Sequence, residues 1–238
     1  MIRELISSAR QDFDLTNPSH QRSVLELAEN FMTVQDLDEL REQLRAGDVA
    51  LEARMAGLLA QSKTWMNQNQ QARKIAVVFA MWGEQNRLLP KSSENPHGEN
   101  SLVTKLEQLQ WATSDSTIDW HLYAVDDGCP HGSGEIATRV AAKHELSEKV
   151  TVLSLSDALP ASEGPLKGLA SADESRKGGA IILGAMHAIE DGVDAVIYTD
   201  ADNSVHLGQI GLLLEPAVDM GAPVVLGNRK HQDSVLVK

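Results

Sequence analysis

From Lys74 onward one pattern recurs: a short apolar run, a turn, then a segment with helical spacing. The runs Ile75–Ala80, His121–Val125, Val150–Leu155, Ala195–Thr199 and Pro223–Gly227 read as strands. The segments Leu102–Ala112, Glu135–Glu145, Gly178–Asp191 and Leu207–Asp219 read as helices. Strand, helix, strand in repetition demands right-handed crossovers, so the expected fold is α/β: a mostly parallel sheet with helices on both faces. Ligands of such sheets bind at the carboxyl ends of the strands. Ser156–Ser175, rich in Ser, Ala, Gly and Pro and without a period, reads as a mobile loop.

Residues 1–72 obey other rules, with many Leu, Ala, Glu and Gln and almost no β-branched runs. Ser23 and Glu26 form a capping box ahead of Val24, Leu25, Ala28 and Phe31, and Thr33 with Asp36 repeats it ahead of Leu37, Leu40 and Leu44. Asp48 stands before Leu51, Met55, Leu58, Leu59 and Ala60 as a third cap. Three amphipathic helices in a bundle or hairpin are expected, with the polar run Asn67–Gln71 as the junction. The division is therefore an α-helical N-terminal region, 1–72, and an α/β domain, 73–238.

Charge narrows the function classes. The chain holds 21 Lys+Arg against 34 Asp+Glu, a net charge of −13. Nucleic-acid binding needs a basic face to replace phosphate counterions, so that class is excluded. A small anionic substrate would need a local cation to bind. The single cysteine, Cys129, permits no internal disulfide, which fits a reducing compartment. No apolar run approaches the about 18 residues of a membrane span, and the first residues carry early acids and no signal core. A cytoplasmic protein is expected, with peripheral association at a membrane left open.

The chemistry-bearing residues cluster at strand ends. Ala195–Val–Ile–Tyr–Thr runs into Asp200 and Asp202, and residues two apart in extended chain point to one side. Two such carboxylates repel unless a cation sits between them, and Mg²⁺ or Mn²⁺ suits oxygen ligands that leave sites for phosphate. The competing reading is one helix-capping and one solvated Asp. Ser175–Arg–Lys–Gly–Gly179 opens a helix, where Arg176 and Lys177 oppose the helix dipole but would favour an anion. Asp126 or Asp127, in Val125–Asp–Asp–Gly128, can accept from a base N–H or a ribose hydroxyl, or simply make a turn. Trp82 and Glu84 end the first strand, with Trp82 either stacking on a nucleoside or capping the core. Gly132-x-Gly134-x-x-Ala137 matches the dinucleotide fingerprint in form only and reads as loop glycines entering a helix. His206 is either a further metal ligand or a helix-start residue, and Cys129 reads as a loop residue.

In combination and order, these motifs resemble the family-two glycosyltransferases of the GT-A fold, nearest the dolichyl- and polyprenyl-phosphate sugar transferase branch. The likeness runs from about Lys74 to Arg229 and rests on Glu84, Val125–Asp126–Asp127–Gly128, Lys177–Gly178–Gly179–Ala180, the Asp200–Ala201–Asp202 DxD motif and Gly227–Asn228–Arg229. Ala80 and Gly83 replace the family's Pro and Asn, and Cys129 replaces its Ser. The resemblance implies a metal-dependent hexosyltransferase with a nucleoside-diphosphate sugar donor. Glu84 and Asp126 or Asp127 would hold base and ribose, Arg176 and Lys177 would lie near the nucleotide, and Asp200 and Asp202 would carry Mg²⁺ or Mn²⁺. The acceptor would be a polyprenyl phosphate, a glycan or a small molecule. The family's base lies beyond the last strand, and few residues follow Arg229, which raises the expectation of truncation; no base is named. The alternatives are a sugar-phosphate nucleotidyltransferase and a non-catalytic nucleotide-binding module, with self-association or a partner for the helical region left open.

Overall fold

Four of the five expected strands form, and all pair in parallel. The structure is a computed structural model that describes residues 2–45, 48–231 and 234–235. In chain order it holds α1 (Ile2–Ser7), α2 (Pro18–Met32), α3 (Leu37–Leu44), α4 (Leu51–Gln68), β1 (Arg73–Met81), α5 (Ser101–Thr113), β2 (Ile118–Asp126), α6 (Ser133–Ala141), β3 (Val150–Ser154), α7 (Lys177–Glu190), β4 (Ala195–Tyr198) and α8 (Ile210–Asp219). Two units separate: a helical one (Met1–Gln70, Trp111–Ser116, His206–Lys238) and a sheet one (Gln71–Gln110, Thr117–Val205).

The sheet order is β3-β2-β1-β4. Alternation along β1 sends Ala76 and Val78 to one face, where they join Tyr123, Val125, Ala180 and Leu183 in a buried cluster with α7. Gly184 makes this fit close: a Cβ there would lie 2.5 Å from Val78 Cγ1. The other face carries Phe79, whose ring lies 5.6 Å from the Lys105 ammonium of α5. Helices thus cover both faces of an α/β sheet, as the alternating pattern requires.

The helical unit buries Val24, Leu27, Phe31, Leu40, Met55 and Leu59 in a core of its own. Its boundaries differ from the sequence reading. α2 begins behind Asn17, whose side chain accepts from the Ser19 N–H, with Pro18 at the first helical position. Ser23 is therefore inside α2, where its hydroxyl meets Glu52 rather than capping anything. Asp36 does cap α3, accepting from the Glu39 N–H at 2.9 Å, while Thr33 closes α2. α4 starts behind Ala50, with no side-chain cap from Asp48. α1 adds a short helix that the spacing had not announced.

Three further differences bear on the sheet. Pro223–Gly227 forms no strand: Val224 and Leu226 are 74% and 84% exposed, and the run finds no ladder partner. An apolar run reports hydrophobicity, not the presence of a neighbour, and Pro223 lacks the N–H a ladder needs. His206–Lys238, assigned by sequence to the α/β domain, clusters with the helices. Ser156–Ser175, read as a mobile loop, anchors Leu166 and Ala172 in the core beside α7. No helix among the described residues is long and apolar enough to cross a membrane.

Candidate functional site

The crossover from β3 to β4 carries the chain past β2 and β1, so the order of strands reverses between β1 and β4. At such a switch point the two flanking connections leave in opposite directions and open a crevice above the strand ends. A cavity of about 280 Å³ lies there, lined by Trp82 and Glu84 beyond β1, Asp127 beyond β2, Lys177 at the start of α7, and Asp200 and Asp202 beyond β4. The helical unit has a roomier cavity of about 430 Å³. Its buried carboxylate, Glu52, is already engaged by the Arg10 N–H and the Ser23 hydroxyl, so the chemistry points to the smaller one.

The sequence left Asp126 and Asp127 interchangeable; the structure separates them. Asp126 accepts from the backbone N–H groups of Gly128 (2.9 Å), Cys129 (2.7 Å) and Gly134 (2.6 Å), and so ties the β2 turn to α6. Gly134 is required for this approach, since a Cβ there would stand 2.8 Å from Asp126 Oδ2. Its N–H, engaged by a carboxylate, offers nothing to a phosphate, which closes the dinucleotide reading of Gly132–Ala137. Asp127 lines the cavity, is 5% exposed, and its buried Oδ1 has no partner among the described residues. Burial, reinforced by the neighbouring Asp126 charge and opposed by Arg176, pushes its carboxyl up to about 6.

Glu84 lines the cavity but is braced. Its Oε2 accepts from Arg87 at 2.9 Å, and Arg87 also pairs with Glu99 at 3.2 Å. Glu99 in turn accepts the Asn203 N–H at 2.9 Å. This chain connects the turn after β1 to the loop after β4. Lys105 holds that loop from beneath, donating to the Asp202 carbonyl at 2.5 Å. It is almost wholly buried, and desolvation lowers its pKa to about 8 against the pull of Asp202 and Glu99. Sequence reading missed Lys105, although one signal was present: it shares the helical face of Leu102, Leu106 and Leu109, all fully buried.

Asp200 Oδ1 accepts from the Lys177 ammonium at 2.6 Å and from the Tyr198 hydroxyl at 2.7 Å. The hydrogen bond to Asp200, with Tyr198 beside the ammonium, holds the Lys177 pKa above the usual lysine range. Asp202 Oδ1 accepts from the Ser204 N–H (3.1 Å) and hydroxyl (2.7 Å). Arg176, the other predicted cation, does not line the cavity; it precedes α7 with φ 51°, a conformation unusual for a residue with a Cβ. Trp82 is half exposed, edge-on to His131 with centroids 6.0 Å apart, so it does not cap the core. His206 is fully buried, accepts the Gly208 N–H at 3.0 Å, and burial alone drops its pKa to about 3. It caps a turn at Leu207–Gln209 and is not among the residues lining the cavity. Cys129 Sγ accepts the Gly83 N–H at 3.2 Å and so links the turns after β1 and β2.

No family model, curated protein or solved structure matches this chain. Asp200 and Asp202 offer hard carboxylate oxygens to one cavity, without His or Cys. Among the described residues no cluster of three or more His, Cys, Asp or Glu side chains stands ready to hold a metal. The protein's share would be two carboxylates, with the remaining positions left to phosphate oxygens and water, the arrangement Mg²⁺ favours in nucleotide sites.

Proposed function

We propose that the sheet unit binds a nucleoside-diphosphate sugar with a divalent cation and transfers the sugar to an acceptor, as a metal-dependent glycosyltransferase. One observation carries the reading: the Asp200–Asp202 pair shares a switch-point cavity with Asp127, whose buried Oδ1 has no partner among the described residues, and with the exposed ring of Trp82. Asp127 accepts a base N–H or ribose hydroxyl, and Trp82 offers an apolar face to the nucleoside. Glu84 borders the same end, held in place by Arg87. The cavity is lined by the carboxylates of Glu84, Asp127, Asp200 and Asp202 against the ammonium of Lys177, a field that repels a bare diphosphate. Mg²⁺ or Mn²⁺ held by Asp200 and Asp202 would supply the missing charge as a Lewis acid on the departing nucleoside diphosphate. Lys105 keeps the Asp202 backbone where that stabilisation is needed, and the Glu99–Asn203 bond fixes the residue beyond it.

The nucleotidyltransferase alternative needs a basic loop after β1 to cradle a triphosphate. The cation there, Arg87, is turned onto Glu84 and Glu99, which favours the glycosyltransferase reading.

Calorimetry tests the assignment. UDP and GDP should bind more tightly with Mn²⁺ than without, and Asp202→Ala should remove most of that gain, about 10–100-fold. Metal-independent binding, or full affinity in the variant, would defeat it. A pH series isolates Asp127. Because its carboxyl titrates at about 6 rather than near 4, nucleotide affinity should fall as the pH drops from 7 to 5. Asp127→Asn should show weak binding with a flatter profile over that window. A wild-type profile that stays level to pH 5 removes Asp127 from recognition.

A further inference from the structure

We propose that Lys177 is an exchangeable counter-ion: it neutralises Asp200 until a divalent cation takes that carboxylate, and then carries its charge to the diphosphate of the donor. The inference rests on the metal-site reading above and assigns that site an order of events. Lys177 Nζ and Tyr198 Oη both converge on Asp200 Oδ1, at 2.6 and 2.7 Å. An ammonium and a dication cannot share one carboxylate oxygen at such separations, because their mutual repulsion acts over the same few ångströms as the attraction of each. Occupation of Asp200 Oδ1 by the metal therefore evicts Lys177 from that oxygen.

The released side chain has somewhere to go. Lys177 is 58% exposed, it is the first residue of α7, and among the described residues its ion pair is with Asp200. Gly178, which follows it, has no side chain to hinder the move; a Cβ there would meet Ser175 Oγ at 3.6 Å, an ordinary contact. The freed ammonium would thus lie beside a helix amino end, within the cavity that Asp127 and Asp202 also line. Both features attract an anion. Before exchange, Lys177 is cancelled by Asp200 and the cavity is acidic. After exchange, the metal offsets the two aspartates and the ammonium is available to phosphate. Metal binding and diphosphate binding are therefore coupled, and the metal comes first.

The coupling predicts opposite effects from one substitution. Mn²⁺ alone, titrated into the full chain, should bind Lys177→Met about fivefold or more tightly than wild type, since no ammonium competes for Asp200. Pyrophosphate, titrated at saturating Mn²⁺, should bind the same variant about tenfold more weakly. Lys177→Gln should repeat both shifts, and circular dichroism checks that each variant is folded. Equal or weaker Mn²⁺ affinity in both variants overturns the exchange, as does unchanged pyrophosphate affinity. Asp200→Asn separates the two levels of inference. If it abolishes Mn²⁺ binding while the Lys177 variants gain none, the metal site stands and the exchange falls. If Mn²⁺ binds Asp200→Asn as well as wild type, or does not bind wild type, both fall.

Discussion

Asp126→Ala is expected to destabilise the sheet unit by about 3–5 kcal/mol, while the same change at the next residue leaves the fold intact. The Asp126 carboxylate accepts three backbone N–H groups, from Gly128, Cys129 and Gly134. Hydrogen bonds to a charged group contribute about 1.5–3 kcal/mol each, and donors left buried without a partner add to the loss. The estimate lies below a simple sum because Gly128 is exposed and its N–H can turn to water. Asp127 behaves oppositely. Its folded pKa, about 6, lies above the ordinary carboxylate value, so its ionisation opposes folding. The stability it allows is complete below about pH 4 and is lost as the pH rises through about 6. Asp127→Asn should therefore equal or exceed wild type in denaturant resistance at pH 7, lose that advantage toward pH 4, and bind nucleotide poorly throughout. Urea unfolding followed by tryptophan fluorescence, to which Trp120 buried in β2 contributes, measures both variants. Similar midpoints for Asp126→Ala and wild type would refute the division of labour between the two aspartates.

The second large effect is expected at Gly184→Leu. A Cβ at this position would stand 2.5 Å from Val78 Cγ1 and 3.1 Å from Val125 Cγ2, and both valines are fully buried in the central strands. Neither can retreat without moving β1 or β2, so α7 must lift from the sheet. Overpacking a filled core costs about 1–3 kcal/mol and sometimes more; with the whole leucine side chain to place, about 3 kcal/mol or more is expected. Gly184→Ala should cost less, because the gain in helix propensity, about 1 kcal/mol, offsets part of the clash. Lifting α7 also displaces Lys177 from Asp200, so the leucine variant should lose the proposed Mn²⁺-dependent nucleotide binding along with its stability. A thermal midpoint within a degree or two of wild type would show that the helix seats elsewhere.

How far the sequence carries the site is clearest at its individual residues. Asp200 and Asp202 were legible because they follow an apolar run directly, and a strand end is where a parallel sheet presents ligand groups. Lys177 was legible as a cation at a helix start, against the dipole preference. Its pairing with Asp200, 23 residues away, was not. Lys105 escaped because it sits 97 residues before the loop it supports, and only its place on an apolar helix face hinted at burial. Pro223–Gly227 was misread for a related reason: its short apolar run satisfies the local rule for a strand, but no partner strand meets it.

Sequence by itself determined the α/β class, four parallel strands with ends within three residues, a helical segment before them, and acidic groups at the strand ends. Those features follow from period, turn chemistry and chain direction, which act between near neighbours. Only the tertiary structure decided the strand order β3-β2-β1-β4, the attachment of His206–Lys238 to the helical unit, the division of roles between Asp126 and Asp127, and the hold of Lys177 on Asp200. Each of these depends on a hydrogen bond, an ion pair or a packed surface formed between segments distant in the chain, whose meeting no local pattern encodes.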